Sequence, residues 1–132
     1  MITKQLQAYK DNAVQTASGP QLTLMLYNGC VKFIKQAMKD VEKADYESKN
    51  KNVQKAQNII RELMITLNPE IEISQQMLPM YEFINFQLTE GNIKNEVSHL
   101  ETALEFVTEF RDTWKEMMKQ EMTGKYVQGA QV

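Results

Sequence analysis

Leu22-Thr23-Leu24-Met25-Leu26-Tyr27-Asn28-Gly29, continued from Cys30 to Val41, is the stretch that decides the fold. Apolar or small residues recur at positions 22, 25, 26, 29, 30, 33, 34, 37, 38 and 41, the rhythm of a helix with a 3.6-residue period and one wide buried stripe. Leu24, Tyr27 and Val31 fall outside that stripe and need a neighbouring helix or a partner. Upstream, Leu6 to Tyr9 and Thr16 to Pro20 form a lead-in with one aromatic. Ser18 can accept from the orphan N–H groups of a first turn, and Pro20 is tolerated there. The first helix is therefore expected to begin near Ser18 or Pro20 and to fade around Ala44 to Tyr46.

Outward from that helix the polar run Asp45 to Asn52 reads as a connection. A second helix is expected on Val53, Ala56, Ile60, Leu63 and Leu67, widened by Ile59 and Met64, and stopped at Asn68-Pro69 because a residue before proline leaves the helical region. A third follows on Ile73, Met77, Met80, Tyr81, Ile84 and Leu88. Pro79 predicts a kink or a late start in it, and Gly91-Asn92 a stop. The fourth carries Ile93, Val97, Leu100, Leu104, Val107, Arg111, Trp114 and Met118, a heptad seam interrupted by one arginine, with Phe106, Phe110 and Met117 on a second flank. Beyond Gln120 no period survives, so residues 121–132 are expected to be a disordered tail. Short connections make successive helices antiparallel. The expected architecture is thus an all-α up-down four-helix bundle over residues 18–120, with a flexible strap over 1–17.

Composition narrows the function. At 132 residues the chain is one domain, able to bury roughly 70% of its unfolded surface without a staple. One cysteine forms no internal disulfide, and Met1 opens no secretory leader, so a reducing cytoplasm is expected. No apolar run approaches the roughly 18 residues that span a bilayer. A net charge of −2 with acids and bases interspersed provides no field for nucleic acid or anionic lipid. Lys49 and Lys51 lie in a short run without interleaved aromatics, which is no nucleic-acid patch. Nine methionines suit either gap-filling or a surface that repacks around a bound helix. Apolar residues on more than one face of three helices exceed what a bundle core absorbs, leaving a binding groove or a homodimer interface.

Catalytic constellations are missing from the sequence. Glu96-Val97-Ser98-His99 is half of a di-metal bundle motif, but His99 is the one histidine, and Val97 and Leu100 take the inward positions. Metal binding and cofactors are not expected. Phosphotransfer on His99 is a remote alternative, weakened because Glu101 would repel a phosphoryl group. Cys30 belongs to the core stripe, where a thiol is a small hydrophobe. No phosphate loop or serine triad is present, so an enzyme is not expected.

Leu6-Gln7-Ala8-Tyr9, Thr16-Ala17-Ser18, Leu22 to Gly29, Lys55-Ala56-Gln57-Asn58-Ile59-Ile60, Leu78, Tyr81-Glu82-Phe83, Leu88, Asn92-Ile93-Lys94-Asn95 and Trp114-Lys115 together resemble the flagellar secretion chaperone family, in order and at family-like spacing. The resemblance implies a non-catalytic cytoplasmic bundle that binds the C-terminal segment of flagellin, prevents premature polymerisation and delivers it to the type III export gate. It also implies that Leu6 and Tyr9, matching an aliphatic residue and a tyrosine of the family's strap, take part in client binding. Phe86-Gln87 stands where the family often has a basic pair, Gly91 where alanine is usual, and Pro79 just before Tyr81.

The client-facing candidates are Leu6, Tyr9, Tyr27, Phe83, Phe86 and Phe110, then Leu24, Val31 and Met80. A disordered amphipathic segment would fold as it lays its apolar face into a groove between helices. Free, the chain is expected to be a monomer or weak homodimer. The competing class is a self-associating structural or regulatory bundle that ignores flagellin.

Overall fold

A computed structural model describes the backbone of residues 19–131 and the side chains of residues 19–120. The described residues form four helices, α1 (Gly19–Glu42), α2 (Tyr46–Thr66), α3 (Glu72–Lys94) and α4 (Val97–Gln131). Among them α1 packs on α2 and α4, and α3 packs on the same two, so consecutive helices occupy neighbouring corners of a square. This is the all-α bundle expected from the apolar periods. The strap lies outside the described residues, as do the side chains of 121–132. The core is a single cluster to which each helix contributes, including Ile34, Ile60, Ile84 and Leu100, all fully buried.

The two corners at one end of the bundle are built alike. Ala44 (φ 56°) and Asn95 (φ 54°) adopt the left-handed conformation that ends a helix. Asp45 N–H then donates back to Asp40 at 2.9 Å, and Glu96 N–H to Gly91 at 3.3 Å, the six-to-one bond of a Schellman stop. Asp45 also caps α2, its carboxylate accepting from Ser48 N–H at 3.2 Å. At the opposite end Asn68 turns the chain with its side chain, Oδ1 accepting from Glu70 N–H at 3.0 Å.

Several expectations are corrected. The polar run after Asp45 is the first two turns of α2, not a connection, because its polar groups have partners. Buried Asp40 accepts from Gln36 Nε2 at 3.0 Å, Ser48 Oγ at 2.8 Å and Asn52 Nδ2 at 2.9 Å. Lys49, also buried, donates to the Asn92 carbonyl at 2.6 Å and so closes the last turn of α3. Of the kink or late start expected at Pro79, the late start does not occur: α3 starts at Glu72 and continues through the proline. The proline lies on the exposed face, where the carbonyl that loses its partner meets water.

Gly91-Asn92 does not stop α3 either. Gly91 is buried, and a Cβ there would lie 2.7 Å from Leu100 Cδ2, so the glycine serves close approach of α4 rather than chain termination. Ile93, expected on the seam of the fourth helix, ends up on the last turn of α3 and is 71% exposed.

A further correction concerns the surplus on α1. Tyr27 and Val31 are buried, at 1% and 5% exposure, while Leu22 and Met25 of the expected stripe are half-buried. A helix touching two neighbours needs two apolar flanks, and α4 covers the second one. Charge is likewise segregated rather than interspersed. Gly19 to Pro69 holds eight basic against five acidic side chains, whereas Glu70 to Gln120 holds ten acidic against four basic.

Candidate functional site

Aromatic side chains from three helices converge where α1, α3 and α4 meet. On α4, Phe106, Phe110 and Trp114 follow each other at i, i+4 spacing and share one face. Phe110 stacks on Tyr27 with centroids 6.4 Å apart and meets Tyr81 at 5.6 Å. Trp114 lies 6.4 Å from Tyr27, and its indole N–H donates to the Pro20 carbonyl at 2.9 Å, tying the start of α1 to α4. The Tyr27 and Tyr81 hydroxyls hydrogen-bond each other across the interior.

Burial raises the pKa of Tyr27, partly opposed by the bond from Tyr81. Tyr81 is pushed up by burial and by its neighbour Tyr27. Both phenols therefore remain neutral hydrogen-bonding groups. Such a pair costs less to bury than either hydroxyl alone.

Outside this cluster the apolar surface continues into solvent. Phe83 packs edge-on against Phe106, ring centroids 5.2 Å apart, yet remains exposed. Met80, Phe86 and Ile93 on α3, with Met117 on α4, are exposed as well, Phe86 at 56%. Large apolar side chains at this exposure form a face that the bundle itself does not cover.

The sequence-predicted residues separate into three groups. Met80, Phe83 and Phe86 share the exposed face of α3. Tyr27 and Phe110 come together beneath it, with Val31 buried on α1 and Leu24 half-buried one turn earlier. Leu6 and Tyr9 lie outside the described residues. Tyr81, Phe106 and Trp114 were missed as members of the cluster. The i, i+4 aromatic row on α4 was the signal that could have found the last two.

Reactive chemistry finds no support in the geometry. His99 is half-buried, its Nδ1 2.8 Å from Gln87 Oε1 and its Nε2 3.3 Å from Glu96. Burial pushes the Cys30 thiol far up, so it stays protonated beside the Ala56 carbonyl. Among the described residues no group of histidine, cysteine or carboxylate side chains could hold a metal, and no helix is long and apolar enough to cross a membrane.

Comparison with known proteins agrees with this picture. The family model described as Flagellar protein FliS matches residues 2–121. The chain is 47% identical to the flagellar secretion chaperone FliS of Bacillus subtilis over 92% of each chain. It is 30% identical to that of Escherichia coli, over 87% of this chain and 90% of the other. A crystal structure of a bacterial flagellar chaperone shares the fold with a TM-score of 0.72, covering 89% of this chain and 98% of that one at 18% identity. With the family match spanning the bundle and the curated relatives covered nearly end to end, the chain belongs to the FliS family of flagellar secretion chaperones, which are not enzymes.

Proposed function

We propose that this chain is a cytoplasmic export chaperone whose client is the C-terminal segment of flagellin, and that it delivers this client to the type III export gate. The observation that carries the reading is the exposed apolar set Met80, Phe83 and Phe86 on α3, of which Phe83 packs on Phe106 of α4. A segment that is unfolded when free can fold as an amphipathic helix along that set, hiding the apolar face that drives polymerisation. Ordering the segment costs about 2–5 kcal/mol of the gross interaction, which keeps the complex releasable. Phe110, Tyr27 and Val31 form the packed support beneath it, and Leu24 extends it along α1.

Residues 1–17 are proposed to act as a strap that covers part of this surface until the client arrives, with Leu6 and Tyr9 making the contact. Residues 18–120 are proposed to form the chaperone bundle, and 121–132, along which the backbone of α4 continues to Gln131, a tail beyond it. Isothermal calorimetry with the flagellin C-terminal segment tests the client, and Tyr9→Asp tests the strap. Binding with a weaker or altered constant in the mutant is expected. No heat with the wild type would sink the client assignment, and unchanged affinity in Tyr9→Asp would remove the strap.

A further inference from the structure

Helices α1 and α4 each carry a row of one charge on the side turned away from the core. On α1 it is Lys32, Lys35, Lys39 and Lys43, all exposed, the last held on the helical turn by its N–H donating to the Lys39 carbonyl at 3.1 Å. On α4 it is Glu101, Glu105, Glu109 and Asp112, all exposed as well. Like charges three or four residues apart work against the helix that carries them. Among the described residues, Asp112 with Arg111 at 3.2 Å is the one ion pair that any of these eight side chains makes. Glu42 and Asp45 stand beside the last lysine, which also acts on buried Asp40. Although α1 and α4 are neighbours in the bundle, the two rows point outward from different corners and do not pair with each other.

The rows share one spacing. Lysines follow Lys32 after three, seven and eleven residues, and carboxylates precede Asp112 by three, seven and eleven. An antiparallel approach of α1 to α4 therefore sets Lys32 level with Asp112, Lys35 with Glu109, Lys39 with Glu105 and Lys43 with Glu101, over about 16 Å at 1.5 Å per residue. One bundle cannot reach this register by itself. Its own α1 and α4 are fixed by Tyr27 on Phe110 and Pro20 on Trp114, which sets Lys32 near the height of Glu105, two turns away from Asp112.

We propose that a second copy of this chain docks its α4 row on the α1 row of the first, antiparallel and in that register. Other anionic surfaces use only half of the pattern. A membrane or a nucleic acid drawn to the lysines would meet the carboxylates of α4 on the adjoining corner. No large apolar side chain of α1 is exposed to enter a bilayer. Phe33, the aromatic nearest the lysines, is half-buried with Lys55 over its ring at 5.3 Å, so it offers no open face to a base. An acidic helix from another protein would satisfy the lysines and leave the α4 row as it was. A second copy satisfies both, because every copy presents one row of each sign.

Such a contact is heterologous: each copy gives α1 to one neighbour and α4 to another, so association continues past a dimer unless it closes into a ring. Exposed ion pairs contribute little each, which makes the association weak and sensitive to salt. The exposed apolar strip on α3 takes no part in it and stays open to a client.

Sedimentation velocity of the full chain tests the pairing. The average mass is expected to rise with protein concentration at about 20 mM salt and to return to the monomer near about 0.5 M. Lys35→Glu with Lys39→Glu should weaken the association at least about tenfold, and so should Glu105→Lys with Glu109→Lys. Mixing these two variants should restore it, because the reversed rows are again complementary in the same register. Lys51→Glu with Arg61→Glu, on the outer face of α2, changes the net charge as much as the first variant and should leave the association intact. Circular dichroism of each variant confirms that the helices are retained.

A monomer at every concentration in low salt overturns the proposal. So does unchanged association in either row variant, an equal loss in Lys51→Glu/Arg61→Glu, or a mixture no tighter than its components. Self-association that persists in high salt and that Phe86→Ser abolishes would place the contact on the apolar face of α3 and overturn it equally.

Discussion

Helices α2 and α3 have similar lengths, 21 and 23 residues, and each lies between two neighbours, yet they divide their apolar residues differently. Helix α2 buries Val53, Ala56, Ile59, Ile60 and Leu63 and exposes two large apolar side chains, Tyr46 and Ile65. Helix α3 buries Tyr81, Ile84 and Leu88 and exposes six, Ile73, Leu78, Met80, Phe83, Phe86 and Ile93. Polar side chains are also used differently. On α2, Lys49, Ser48 and Asn52 are spent inside the protein on Asp40 and Asn92, while on α3 most carboxylates face water. One helix is built for the bundle and the other is shared between the bundle and the surface. Exposing aromatics gains no stability for the isolated chain, so their presence on α3 points to a use outside it.

The comparison breaks first if the two helices respond alike to truncation. Ile60→Ala, at a fully buried position of α2, is expected to cost about 2–5 kcal/mol in urea unfolding, from lost burial and the cavity left behind. Phe86→Ala on α3 should change stability by no more than about 0.5 kcal/mol while weakening client binding. A large stability loss in Phe86→Ala would mean that the strip belongs to the core.

The buried polar corner sharpens the contrast. Burial pushes the Asp40 carboxyl up, but hydrogen bonds from Ser48, Gln36 and Asn52 and the charge of Lys43 outweigh it and hold the group below its ordinary value. A folded-state value lower than the unfolded one of about 3.9 stabilises the protein above that pH, and the gain is lost as pH falls through the folded value. Asp40→Asn should therefore cost about 1–3 kcal/mol at pH 7, with the deficit shrinking as the wild type is taken below about pH 4. A deficit independent of pH would show that shape rather than charge matters at this position.

Lys49 provides a related test between helices. Its ammonium is buried and its pKa lowered by that burial, and it holds the Asn92 carbonyl at the end of α3. Lys49→Ala should destabilise by about 1–3 kcal/mol, by leaving a buried acceptor without its donor. Hydrogen exchange should rise at the last turn of α3 before it rises in the middle of α2. The smallest effect is stabilising. Ala44 adopts φ 56°, where a side chain costs about 1–2 kcal/mol, so Ala44→Gly should raise the urea midpoint slightly.

Much of the bundle was legible because the helices are long and their periods strong. The seam through Leu100 and Val107 and the end of α2 before Pro69 follow from spacing and proline alone. Local reading failed where local signals had tertiary explanations. Gly91 carries the mark of a helix stop, but its reason is Leu100 on another helix. The run after Asp45 looked like a loop because its polar groups seemed to need water, whereas Asp40 and Asn92 supply their partners. Tyr27 and Val31 looked surplus until a second neighbour for α1 was in view. The candidate site was legible as a set of apolar side chains beyond the needs of one stripe. Which of them remain exposed was not.

By itself the sequence determined the helical period, the antiparallel order imposed by short connections, the absence of catalytic groupings and the likeness that identifies the family. Those properties depend on the type and spacing of residues along one chain segment. Only the tertiary structure decided that Tyr27 is hidden, that Phe83 and Phe86 are not, and that Gly91 admits a neighbour. Burial belongs to pairs of helices, since the rotation of each about its own axis is set by how many neighbours it must satisfy at once.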